Sequence, residues 1–215
     1  MIDVWYADSL RRTEALLSQH GIDTLPIYLS YDALVQRARN DLVRIALDQG
    51  FDDLLFIDSD IEWEPEWAMA LLAHDVDAVG AAYRKKTDEK EIYTVRAKLP
   101  IPVDLKTGLW IVDGIGTGFM RLSRRALQLL WDASEEYENE GRMCRWIFDV
   151  CVVDHQLVSE DNIVCEKLRQ LGVKVHLDPS FTPTHIGIKK YRGNFKEYVA
   201  ALKRVDEQAT SRIAS

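Results

Sequence analysis

Residues 53–60 read Asp53-Leu54-Leu55-Phe56-Ile57-Asp58-Ser59-Asp60, a short apolar run closed by two carboxylates with a single residue between them. Four consecutive apolar residues before turn-forming ones predict a buried β-strand. In α/β sheets ligands gather beyond the carboxyl ends of the strands, so this strand delivers Asp58 and Asp60 to a cleft. Two carboxylates this close repel unless a cation neutralises them, and hard oxygen donors favour Mg²⁺ or Mn²⁺. The stretch reads as a metal site that holds a diphosphate.

Working outward, strands and helices alternate. Residues 2–7 predict a first strand, after which Asp8 or Ser9 caps a helix carrying Leu10, Leu16 and Leu17 that stops at Gly21. A second strand is expected at Leu25–Ser30, then a helix from Asp32 to Gln49 with Leu34, Val35, Ala38, Leu42, Val43 and Ala46 on one side. After the acidic strand, Pro65 marks the first turn of a helix that precedes a strand over Ala78–Tyr83. This pattern predicts an α/β fold with a largely parallel sheet between helices, a Rossmann-like nucleotide-binding half over about residues 1–90.

From about residue 91 to 215 the strands shorten and a mixed half is expected. Leu105–Leu109 reads as a hairpin turn between Ile101–Asp104 and Trp110–Val112, and Ala133–Gly141 as a surface loop. A helix runs from Ser159 to Gly172, and residues 194–212 read as a closing helix. At 215 residues, 47% hydrophobic and 29% charged, the chain suits one domain.

The net charge of −8 argues against general affinity for nucleic acid backbones or anionic membranes. Cys144, Cys151 and Cys165 form an odd set without metal-ligand spacing, which fits free thiols in a reducing compartment. Neither a basic leader nor a long apolar run stands in Met1–Ser9, so no membrane anchor and a cytoplasmic location are expected, the host's cytoplasm if the chain is viral.

Other uses of an acid pair fit less well. A calcium loop beginning at Asp58 would need Gly sixth and an acidic residue twelfth, where Trp63 and Met69 stand. An aspartyl-phosphate phosphatase carries its acid pair after the first strand of the fold, whereas about fifty residues precede this one. Gly114-Ile115-Gly116-Thr117-Gly118 would let backbone N–H groups approach a ligand closely, but Phe119 stands at the third glycine position of the dinucleotide fingerprint. Arg37 and Arg39, two apart on a helix, cannot share a face, and Arg39 is the one expected to reach the cleft. Tyr6, Ala7 and Asp8, at the end of the expected first strand, would receive a nucleobase, with Asp8 accepting from uracil N3–H. Trp63 and Trp67 read as packing residues or as sugar or acceptor contacts.

Phe56-Ile57-Asp58-Ser59-Asp60 resembles the Asp-x-Asp motif of nucleotide-sugar-dependent glycosyltransferases with the GT-A fold, in particular small viral and bacterial members. Four further segments resemble that family in the same order, across roughly residues 2–195. Arg37-Ala38-Arg39-Asn40 is similar to the helix before the acidic strand, and Gly116-Thr117-Gly118-Phe119-Met120 to a glycine-containing acceptor-side strand. Ser159-Glu160-Asp161 resembles an acidic motif at a helix start, and Thr184-His185-Ile186-Gly187 a late histidine segment.

The resemblance implies transfer of a sugar from a UDP-sugar, UDP-glucose first, to a hydroxyl of a glycan or glycoprotein, with inversion and with Mn²⁺ or Mg²⁺ as cofactor. Asp60 and His185 would bind the metal, joined by Asp58 directly or through water and ribose. Asp161 would be the catalytic base. Ala7, Asp8, Arg39, Ser59, Gly116, Thr117, Gly118 and Lys189 would line the nucleotide and sugar, with Lys190 and Arg192 nearby. Two rivals are a phosphatase or nucleotidyltransferase using the same acids, and a non-catalytic sugar-nucleotide-binding module.

Overall fold

The computed structural model describes residues 3–29 and 32–213, with residues 205–213 described by backbone alone. The chain begins with a helix, α1 (Val4–Gln19), where a strand over residues 2–7 was expected; residue 2 itself lies outside the described residues. Asp3, not Asp8 or Ser9, is the cap, accepting from the Trp5 N–H at 2.9 Å. Tyr6, Ser9, Thr13 and Leu17 recur at helical spacing and are buried, so the period of 3.6 reaches back through the supposed strand. Leu25–Tyr28 pairs with no strand among the described residues: Pro26 lacks the N–H a ladder needs, and Ser30 lies outside those residues.

In chain order there follow α2 (Val35–Gln49), β1 (Asp53–Ile57), β2 (Ile61–Glu62), α3 (Pro65–Ala73), β3 (Ala78–Gly80), β4 (Val95–Arg96), β5 (Trp110–Val112), β6 (Gly114–Ile115) and β7 (Phe119–Ser123). Beyond these lie α4 (Arg124–Ala133), β8 (Glu136–Asn139), β9 (Arg142–Arg145), β10 (Cys151–Val153), β11 (Gln156–Val158), α5 (Glu160–Gln170), β12 (Val175–Leu177), β13 (Thr184–Ile186), β14 (Lys190–Tyr191) and α6 (Phe195–Ile213).

The central sheet has the order β1-β7-β3-β12-β5. It is mostly antiparallel, which corrects the expectation of a largely parallel, Rossmann-like sheet. Strand β7 runs antiparallel to both β1 and β3, with Phe56 and Gly80 each opposite Met120, and only β3 and β12 pair in parallel. Because β7 sits between them, β1 and β3 still point the same way, as does β12. Their carboxyl ends therefore share one edge of the sheet, where a ligand cleft belongs.

Alternation along the strands fills two cores. Phe56, Met120, Leu122 and Val112 face α2, α4 and α5, whereas Val79 and Phe119 face α1 and α3. The hairpin turn at 105–109 forms as expected, with Gly108 in the left-handed region and Val103 bridging Trp110. The stretch expected to be a surface loop at 133–141 is instead largely β8 and its turn to β9. Glu140 and Gly141 both take positive φ, the geometry of a tight hairpin. The three cysteines are free thiols. No helix among the described residues is long and apolar enough to cross a membrane.

Candidate functional site

Strand β1 ends at Ile57, and the turn Asp58-Ser59-Asp60 carries the chain into β2. The Asp58 N–H donates to the Gly118 carbonyl, and the Ile61 N–H to the Asp58 carbonyl, so the turn is pinned at both ends. Ser59 is exposed at its tip. Strand β2 pairs with β13, which sets His185 opposite Ile61, and the Ile186 N–H donates to the Asp60 carbonyl at 2.7 Å. Residues 125 positions apart in sequence thus become neighbours by backbone pairing alone.

Arg39 is the inward arginine, as expected, while Arg37 stays outside on Asp32. The buried Arg39 guanidinium holds three carboxylates: Glu160 at 2.7 Å and Asp161 at 3.0 Å on one nitrogen, Asp58 at 3.0 Å on the other. Burial would lower its pKa, but the negative charges of Asp58, Asp161 and Glu160 raise it. For Asp58 burial prevails: its pKa is raised, with Asp161 and Asp60 adding repulsion that Arg39 does not cancel. Glu160 and Asp161 occupy the first turn of α5 behind Ser159, whose hydroxyl receives Asn162 Nδ2 rather than capping the backbone.

Asp161 also accepts a short hydrogen bond from the Thr117 hydroxyl, through the oxygen that meets Arg39. Gly116 and Gly118 have a role beside it that the sequence reading had given to a ligand. A Cβ on either would lie 2.5 Å from the Tyr83 hydroxyl, and one on Gly118 would also lie 2.7 Å from Asp58 Oδ2. The room left by the glycines is filled by Tyr83, whose hydroxyl accepts from the Gly118 N–H at 3.1 Å. Burial, then the charges of Asp58 and Asp161, push the Tyr83 pKa well above its usual value, so the phenol stays protonated.

His185 donates from Nδ1 to the Arg84 carbonyl at 2.9 Å, since a carbonyl only accepts. Its Nε2 faces Asp60 Oδ1 at 3.6 Å, and its ring packs edge-on against Tyr83. The other Asp60 oxygen receives Lys86 Nζ. Burial opposes ionisation of Asp60, but the neighbouring His185 and Lys86 outweigh it and hold its pKa at about 2. Among the described residues no three His, Cys, Asp or Glu side chains converge as a ready-made metal cage. The pair fits a divalent cation nonetheless. A carboxylate oxygen and an imidazole nitrogen on a fixed ring suit Mn²⁺, and metals that carry substrate phosphates often take only one or two protein ligands.

The remaining sequence candidates lie elsewhere. Ala7 and Asp8 are exposed on α1, not at a strand end, and Asp8 pairs with Arg11 at 3.0 Å; the nucleobase position argued from a first strand is thereby withdrawn. Lys189 pairs with Asp88, and Lys190 with Glu62 at 2.6 Å while lying over the Trp5 ring. Trp63 and Trp67 are packing residues: Trp63 donates to Thr13, and Trp67 stacks on Phe181. Tyr83 and Lys86 were missed. Both lie just beyond β3, the next strand of the central sheet after β1 in chain order, and only the fold brings that strand end to Asp58 and Asp60.

No protein-family model matches the chain, and no curated protein matches it. Among solved structures the chain is similar to A197 from STIV, 19% identical, with a TM-score of 0.50 over 83% of this chain and 78% of that one. At that identity the likeness extends to the mixed α/β fold alone.

Proposed function

We propose that the chain is a metal-dependent glycosyltransferase of the GT-A type, transferring a sugar from a UDP-sugar to a hydroxyl of a glycan or glycoprotein with inversion. The observation that carries this reading is the pairing of Asp60 with His185 beside an Arg39 that ties Asp58 to Asp161. Metal-ligand and base candidates distant in sequence meet at one sheet edge. Asp60 and His185 would hold Mn²⁺ or Mg²⁺, which when bound neutralises charge on the departing diphosphate.

Asp161 would take the acceptor proton. Thr117 and Arg39 occupy its Oδ1 and fix its plane, while Oδ2 has no hydrogen bond among the described residues. Asp58 accepts from Arg39 at 3.0 Å and would hold the ribose or a metal-bound water.

The test is release of UDP from UDP-glucose with Mn²⁺, compared between wild type and Asp60→Ala. Turnover is expected to fall at least about 10²-fold in the variant with its urea unfolding little changed. Undiminished turnover in Asp60→Ala, or release of inorganic phosphate in place of UDP, overturns the reading.

A further inference from the structure

The loop after β3 runs Arg84-Lys85-Lys86-Thr87-Asp88 and folds back on itself, with the Lys85 N–H donating to the Ile92 carbonyl at 2.8 Å. Of its cations, Lys86 alone turns onto the acidic strand end. Its stem crosses Gly187, where a Cβ would lie 3.1 Å from Lys86 Cδ, and its ammonium ends on Asp60 Oδ2. The neighbouring lysines are spoken for: Lys189 by Asp88 and Lys190 by Glu62. Lys86 therefore supplies the positive charge at Asp60, on the carboxylate that also faces His185 Nε2.

Lys86 holds Oδ2 while His185 Nε2 faces Oδ1, so a divalent ion on Oδ1 would sit across one carboxylate from the ammonium and repel it, which favours release of Lys86. A flexible stem one-third exposed lets the ammonium swing without moving the backbone. A diphosphate arriving with the metal would offer the freed ammonium a new anion. We propose that Lys86 is an exchangeable counter-ion, paired with Asp60 in the free protein and transferred to a diphosphate oxygen when a divalent cation takes Asp60. This rests on the reading of Asp60 as a metal ligand. It makes metal and diphosphate bind together: the ion alone has to displace Lys86, whereas the ion with diphosphate gives Lys86 a new partner.

The experiment is calorimetric titration of Mn²⁺ alone, and of UDP in saturating Mn²⁺, into wild type, Lys86→Met and Asp60→Asn. Methionine keeps the stem over Gly187 and removes the charge. Lys86→Met is expected to bind Mn²⁺ alone about fivefold more tightly, and UDP with Mn²⁺ about tenfold more weakly. Opposite signs are the signature, since a merely structural lysine would shift both affinities the same way or neither. If Mn²⁺ binding depends on Asp60 and Lys86→Met leaves both affinities unchanged or moves them together, the exchange is overturned and the metal site stands. Mn²⁺ binding that survives intact in Asp60→Asn overturns the metal assignment and the exchange with it.

Discussion

Two buried arginines serve the two ends of the central sheet in opposite ways. Arg121, on β7, donates to the carbonyls of Leu71, His74 and Val76 and pairs with Asp53 at 3.2 Å, tying the end of α3 to the sheet. Among the described residues Arg39 donates to no carbonyl; its partners are Asp58, Glu160 and Asp161. Burial dominates at Arg121 and lowers its pKa despite Asp53, whereas at Arg39 three carboxylates reverse the same penalty. The first arrangement satisfies backbone that any fold must satisfy. The second gathers more negative charge than one cation neutralises, a pattern that belongs to ligand sites more than to scaffolds.

The comparison can be broken at either arginine. Arg121→Met strands three carbonyls, one buried and two partly buried, and is expected to cost about 4 kcal/mol in urea unfolding. Arg39→Met leaves uncompensated carboxylates and is expected to cost about 3 kcal/mol at pH 7. The pH dependence separates them. Arg39 is what holds the already raised Asp58 pKa down, so without it the folded value of Asp58 rises further above the unfolded value of about 4 and the folded state binds that proton more tightly. Stability lost in Arg39→Met should therefore return as the pH falls from 7 to 5. Of the Arg121 partners only Asp53 titrates, against three carboxylates at Arg39, so Arg121→Met should show a smaller slope; equal slopes would erase the distinction.

A smaller effect sharpens the site end of the comparison. Gly118→Ala forces a methyl against the Tyr83 hydroxyl and Asp58, with an expected cost of about 2 kcal/mol. Adding Tyr83→Phe should recover part of it by removing the hydroxyl. No recovery would mean that Asp58, and not Tyr83, is what requires glycine there.

Much of the helical structure was legible. Pro65 at the start of α3, Gly50 in the left-handed region after α2, and Ser159 before α5 stand where the sequence places them. The first strand was misread because Asp8 and Ser9 resemble caps, while the cap in use, Asp3, lies five residues earlier. At the site, helical spacing showed that only one of Arg37 and Arg39 would turn inward, and Asp58 and Asp60 followed from the end of an apolar strand. Ala7 and Asp8 failed with the strand they depended on, and Tyr83 was hidden because its burial depends on glycines more than thirty residues away.

What the sequence determined by itself is local: an apolar run ending in two carboxylates, helices with their stops, and a histidine near glycine and lysines. Only the tertiary structure decided that β7 enters between β1 and β3, that Arg39 meets α5 more than a hundred residues away, and that Lys86 rests on Asp60. The reason is physical. A two-residue alternation looks the same whether its partner strand runs parallel or antiparallel, and a charged side chain's spacing shows which face it occupies but not which distant charge will meet it there.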